Sequence, residues 1–207
     1  MMETTIIDTS IYVEKNLIRP IRVEAGFSIL EVLISLIILS LGLLGAVGMQ
    51  ATAMQSNKEA RNLAIATTFG RELAERMRGN NSVSIQTTTS NNPYLLDVTL
   101  ASSTSIPTPA VNCFLLGCPI VKDAANWDVA DWQKRVQAAL PSARVKVCFD
   151  QTPFDNAGKA QWDCTSNGDI AVLKMSWTRK NTAGTLDFAS SGGVPIVVVP
   201  LTAGSSQ

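Results

Sequence analysis

The sequence predicts an α+β chain, and three observations over its 207 residues carry that expectation. An apolar run passes without a break into an amphipathic one, both of helical period. A second, shorter segment carries two tryptophans, has a broad apolar face of helical period, and stops at Pro141. Beyond it the chain alternates with a period of two, divided by clusters of Asn, Asp, Gly and Pro.

The first element is the apolar run. Val32 to Met49 carries no charge, and counting back to Phe27 gives about 23 residues with Glu31 as the one exception, long enough to cross a bilayer as a helix. Helical period then continues. Leu63, Ala66, Gly70, Leu73 and Met77 fall on one face with Phe69 near its edge, while Arg61, Arg71, Glu72 and Glu75 lie opposite. Glu72 and Arg76 form a favourable i,i+4 pair. Gly79-Asn80-Asn81 is a stop signal. One helix from Ser28 to Arg78 is therefore expected, roughly 75 Å long at 1.5 Å per residue. Gly42, Gly45 and Gly48 recur every third residue, which reads either as close helix packing in a membrane or as a region able to bend.

Residues 80–110 are rich in Ser, Thr, Asn and Pro and read as a long surface connection with a short strand at Tyr94–Leu100. Cys113 to Cys118 looks like a small tied loop. Asp123–Leu140 is the short helix, with Trp127, Ala130, Val136 and Leu140 sharing a broad face. Arg144–Phe149 and Ile170–Thr178 alternate and read as strands. Asn181–Gly184 reads as a turn, and Thr185–Ala189 and Val194–Leu201 supply further strands. An antiparallel sheet of three to five strands is expected.

Composition narrows function. Seventeen basic and seventeen acidic side chains cancel, so the chain has no long-range field for steering onto nucleic acid. It has no histidine, which removes Ser-His-Asp and Cys-His nucleophilic sites and the commonest zinc ligand sets. No Gly-rich phosphate loop is present. No enzyme and no cofactor are expected. The four cysteines, Cys113, Cys118, Cys148 and Cys164, all follow the apolar run and read as two disulfides of an exported domain. Three connectivities are open. Nearest-neighbour pairing is expected because each pair brackets a short loop. The alternative, a four-cysteine zinc site, lacks the usual CxxC spacing. Asp150, Asp155, Asn156, Asp163 and Asp169 are oxygen-rich, but their spacing matches no EF-hand loop and suits turns.

Glu31 is the most informative residue. A carboxylate inside a membrane-spanning helix costs on the order of 2.5–3.5 kcal/mol at the helix centre and less near the interface. A cleaved secretory signal, with Ala51-Thr52-Ala53 as its cleavage site, would have a shorter apolar run. A plain anchor leaves Glu31 unexplained. The cluster read as a unit does explain it: Arg19 and Arg22, then Gly26, Phe27, an acid at the fifth position after that glycine, and an uninterrupted apolar helix. This cluster resembles the class III signal of type IV pilins and pseudopilins. The resemblance implies cleavage after Gly26 by a prepilin peptidase, N-methylation of Phe27, and a role for Glu31 in assembly. The physics agrees, since a new α-amino cation and a carboxylate buried among apolar helices both need partners. At 26 residues the leader is long and carries Glu3, Asp8, Glu14 and Glu24. The true start then lies downstream of Met1, or the leader is extended.

The chain is also similar, in its C-terminal half and in one segment of the long helix, to the minor pilins named PilV, the type IV pilus modification proteins. The similar segments are Gly42–Gln50, Val147-Cys148-Phe149-Asp150, Trp162-Asp163-Cys164 and Met175-Ser176-Trp177-Thr178, with the tryptophan-bearing helix before the cysteine strand. The resemblance implies a type IV pilin-like fold: a long N-terminal helix, membrane-spanning in its first half, packed on a small antiparallel sheet domain with a short extra helix. The expected organisation is a leader at 1–26, a transmembrane and filament-core half of the helix at 27–53, an amphipathic half at 54–79, and a disulfide-containing domain at 80–207. The implied function is promotion of pilus assembly by staggered packing of helices. The implied partners are other minor pilins, the major pilin, the prepilin peptidase, the inner membrane and the pilus assembly platform. The implied location is the inner membrane, with the C-terminal domain in the periplasm, and then the extracellular pilus. A minor pseudopilin of type II secretion shares the N-terminal signal, and a single-pass membrane sensor or binding module is the alternative of another class.

Overall fold

The structure, a computed structural model, describes residues 26–165, 169–180, 186–187 and 193–201. The chain divides into two compact units, Met1–Met49 and Gln50–Gln207. Helix α1 runs Ile29–Gly79, within one residue of the expected bounds at either end. Its glycines at 42, 45 and 48 do not interrupt it.

In the first unit the described residues are the start of α1 and the three residues before it. The Ser28 hydroxyl accepts from Leu30 N–H at 3.3 Å, which satisfies one of the orphan donors of the first turn. Ser35 and Ser40 turn their hydroxyls back onto the carbonyls of Glu31 and Ile37, both at 2.8 Å, so neither exposes an unpaired donor.

The second unit holds the core. Strands β1 (Leu96–Leu100), β2 (Ala143–Phe149), β3 (Ala171–Ser176) and β6 (Val197–Leu201) form one antiparallel sheet in that order. Strands β4 (Arg179–Lys180) and β5 (Leu186–Asp187) make a separate two-stranded ribbon between β3 and β6. The expected turn at 181–184 lies outside the described residues, as does most of the strand expected at 185–189. Pro200 sits on β6, an edge strand, where a missing N–H costs no ladder bond.

Asn62, Ala66, Gly70, Leu73, Ala74 and Met77 of α1 are buried, and Gly70 is the point of closest approach to the sheet. A Cβ there would stand 3.0 Å from Val199 Cγ2 and 3.2 Å from Leu173 Cδ2. Glycine is used here for proximity, not for backbone freedom. Ala66, Gly70, Leu73 and Met77 of the expected face are buried; only its first member differs, since Leu63 is 44% exposed and Asn62 is buried instead.

Helix α4 (Val121–Ala139) lies against the same stretch of α1. Trp132, fully buried, donates its indole N–H to the Phe69 carbonyl at 3.0 Å and meets the Phe69 ring edge-on at 6.2 Å. The sequence had favoured Trp127 for this face, but Trp127 is only half-buried. The two helices also share a charge network. Glu72 pairs with both Arg76 and Arg135, Arg76 reaches Asp128 at 2.8 Å and Asp131 at 3.0 Å, and Arg135 reaches Asp131 at 3.1 Å. Hydrogen bonding to Arg135, and secondarily to Arg76, outweighs burial and holds the Glu72 carboxyl below its usual range.

The stretch expected to be a surface connection is more ordered than its composition suggests. Helix α2 (Asn81–Ser84) follows α1 directly. Asn92, fully buried, donates to the carbonyls of Ser84 and Gln86 at 2.9 and 2.8 Å and accepts from Tyr94 N–H at 3.0 Å. Tyr94 is also buried and donates to Asp128 at 3.1 Å; burial first, and then that carboxylate, push its hydroxyl well above the ordinary range. A single Asn thus satisfies three backbone groups that a loop would otherwise leave to water.

Candidate functional site

The sequence-predicted site lies at the start of α1. Gly26 precedes the helix in open space. Phe27 is 84% exposed, and Glu31 lies in the first helical turn, also exposed. Phe27 and Glu31 stand at i,i+4 spacing and line one shallow groove with Val32, Ser35, Leu36 and Leu39. An acid in the first turn is favoured by the helix dipole. Among the described residues no basic group pairs with its carboxylate.

The apolar side chains around it are equally unpartnered. From Phe27 to Met54 every large apolar side chain is at least 49% exposed. The helix is long and apolar enough to cross a membrane, and its most apolar window is not buried at all. A core helix of a water-soluble protein would bury that window. A Cβ added at Gly42, Gly45 or Gly48 would meet nothing within 4 Å, so there is open space beside the helix at all three.

Residues 21–47 match the prokaryotic N-terminal methylation motif. That motif is the type IV pilin and pseudopilin signal, and it supports the general type IV pilin class. It implies processing by a prepilin peptidase and assembly with other pilins, and together with the long apolar helix it fits anchoring in the inner membrane. No curated protein and no solved structure matches the chain.

The four cysteines form two bridges, Cys113–Cys118 and Cys148–Cys164. The first closes the four-residue helix α3 (Cys113–Leu116), whose N-cap Asn112 accepts from the Phe114 and Leu115 amides. The second ties the end of β2 to the loop that follows it. Cys148, Asp150 and Cys164 cluster as a metal site would, but both sulfurs are spent on the bridge. Asp155 is likewise occupied, its carboxylate accepting from the Ala157 and Lys159 amides at 2.9 and 2.8 Å in a tight turn.

Sequence reasoning missed one pair. Lys174 on β3 and Asp150 just after β2 are both fully buried at the side chain, with Nζ and Oδ2 2.5 Å apart. The contact is an ion pair more than an aligned hydrogen bond, since Oδ2 lacks a partner of good angle. Lys174 also donates to the Asp163 carbonyl at 2.6 Å. The other oxygen of Asp150 accepts from Thr152 N–H at 3.1 Å and from Thr165 N–H and hydroxyl at 3.3 and 3.2 Å. Burial alone would raise the Asp150 carboxyl, but Lys174 and these donors together bring it below its ordinary value. The alternation of β3 puts Lys174 on the face opposite Leu173, and Leu173 is the one that meets Gly70 of α1. What that pattern cannot carry is that the loop beyond β2 folds back over the outer face.

Proposed function

We propose that the chain is a minor pilin subunit of a type IV pilus, similar in role to PilV, which promotes assembly by staggered packing of its N-terminal helix with other minor pilins and the major pilin. Residues 1–26 are the leader, cleavage falls between Gly26 and Phe27, and Phe27 is N-methylated. Residues 27–53 serve as anchor and filament core, 54–79 as the amphipathic half of the helix, and 80–207 as the globular domain, in the periplasm and then outside the cell. The chain is a substrate of the peptidase and carries out no catalysis itself.

The observation that supports this reading is the match over residues 21–47, which runs into a helix whose apolar side chains are exposed and whose acid has no basic partner among the described residues. Cleavage would create an amine at residue 27, at the positive end of the helix dipole, where a cation is unfavourable unless a carboxylate neutralises it. Glu31 of an adjacent subunit does so when helices pack with a stagger. The intramembrane acid then sets register.

N-terminal sequencing and intact mass of membrane-extracted protein test the reading. The expected mature chain begins at N-methylated Phe27, and a chain that keeps its leader overturns it. Glu31→Ala is expected to be processed but poorly incorporated into filaments. The same signal serves pseudopilins, so deletion of the gene should lower pilus number; loss of protein secretion with normal piliation would assign the chain to type II secretion instead.

A further inference from the structure

The loop from Gln151 to Thr165 covers the outer face of the sheet, yet it has almost no hydrophobic hold there. Among the described residues between Gln151 and Ile170, none joins the buried core, and Phe154 is 49% exposed. Its attachments are few and polar. Trp162 lies under the Arg144 guanidinium at 4.2 Å and donates to the Gly193 carbonyl at 2.5 Å. The Asp163 carbonyl receives Lys174, Thr165 holds Asp150, and between those two residues Cys164 is bonded to Cys148. Beneath the loop, Lys174 stands directly across from Lys146 in the β2–β3 register. Like charges facing each other across strands are destabilising. Lys146 finds Asp97 at 3.2 Å, and Lys174 depends on Asp150 and on the loop carbonyl.

We infer that the Cys148–Cys164 bridge is a redox latch on this loop. Reduction by a dithiol adds two electrons and two protons to the bridge, giving two thiols while the reductant becomes a disulfide. The loop then loses its one covalent tie, and polar contacts alone do not hold a segment that buries no apolar core residue. Residues 151–165 leave the sheet together, Lys174 meets water, and the four strands keep the core that faces α1. The closed state belongs to an oxidising compartment.

The test uses the full chain in detergent micelles, with Cys113→Ser and Cys118→Ser so that one bridge remains. Acetylation by an N-hydroxysuccinimide ester is read residue by residue by mass spectrometry, with and without dithiothreitol. Reduction should raise the labelling rate of Lys174 by about tenfold or more, as a local opening would. The exposed Lys58 should be unchanged. Hydrogen exchange at Val145 and Leu173, in the middle of β2 and β3, should stay slow. Cys164→Ser should reproduce the reduced pattern without reductant. Lys174 remaining protected after reduction would overturn the inference. So would Val145 and Leu173 losing protection together with Lys174, because the bridge would then support the whole sheet and not the loop.

Discussion

Asp150 is the residue on which the outer face of the sheet turns. A buried lysine tolerates its charge because one carboxylate and one carbonyl receive it. Removing one partner leaves an uncompensated charge, whereas replacing both by apolar groups of similar size is often neutral. Asp150→Asn is therefore expected to destabilise the domain by about 3–5 kcal/mol, and Asp150→Leu with Lys174→Met to restore most of that loss, read by urea denaturation. The pH dependence follows from the depressed carboxyl. The folded state holds this proton more weakly than the unfolded chain, whose carboxyl titrates near its ordinary value of 3.8. The stabilisation is complete above that value and drains away as pH falls through the lower folded one. The double variant should show a shallower fall in stability below about pH 4.

At the level of elements, the contact of α1 with the sheet is set by Gly70. Its Cβ position is already closed by Val199 on β6 and Leu173 on β3. Gly70→Ala asks those side chains to yield by a few tenths of an ångström and gains helix propensity, so its net effect should be small. Gly70→Leu cannot be accommodated without moving the helix, and overpacking of this kind costs typically about 1–3 kcal/mol. A thermal melt of the two variants separates them. The elements themselves were largely readable from the sequence, because each rests on local signals: the period and stop of α1, Pro141 after α4, and the alternation in β2 and β3. What was not readable depends on partners far along the chain. Trp127 and Trp132 both suit an amphipathic helix, and only the Phe69 carbonyl decides between them. Asn92 looks like a loop residue until the carbonyls of Ser84 and Gln86 are placed around it. Lys174 looks solvent-facing until the loop after β2 returns. At the candidate site the balance is reversed. Gly26, Phe27 and Glu31 are picked out by a motif read along the chain, residues 21–47, and no distant partner has to be placed before they can be named.

For the whole molecule, the two units answer to different solvents. The second contains a buried core with its own ion pairs and bridges. The first presents apolar surface that in water would be unfavourable by roughly 25 cal/mol for each Å² left exposed. In micelles, heating should give one cooperative loss of near-ultraviolet signal from the domain's tryptophans. Substantial helical signal in the far ultraviolet should persist above that transition, because detergent keeps satisfying the apolar helix. Simultaneous loss of both signals would mean that the two units melt as one.

The exposed run from Phe27 to Met54 also has a genetic consequence. Side chains that take no part in the domain's core are not constrained by it. Under the proposed assembly, substitutions there are judged by whichever helices lie alongside, and substitutions in the core are judged by the sheet. On that reading the two stretches can drift at separate rates and be recombined between relatives, so that one common helix comes to carry many unlike heads.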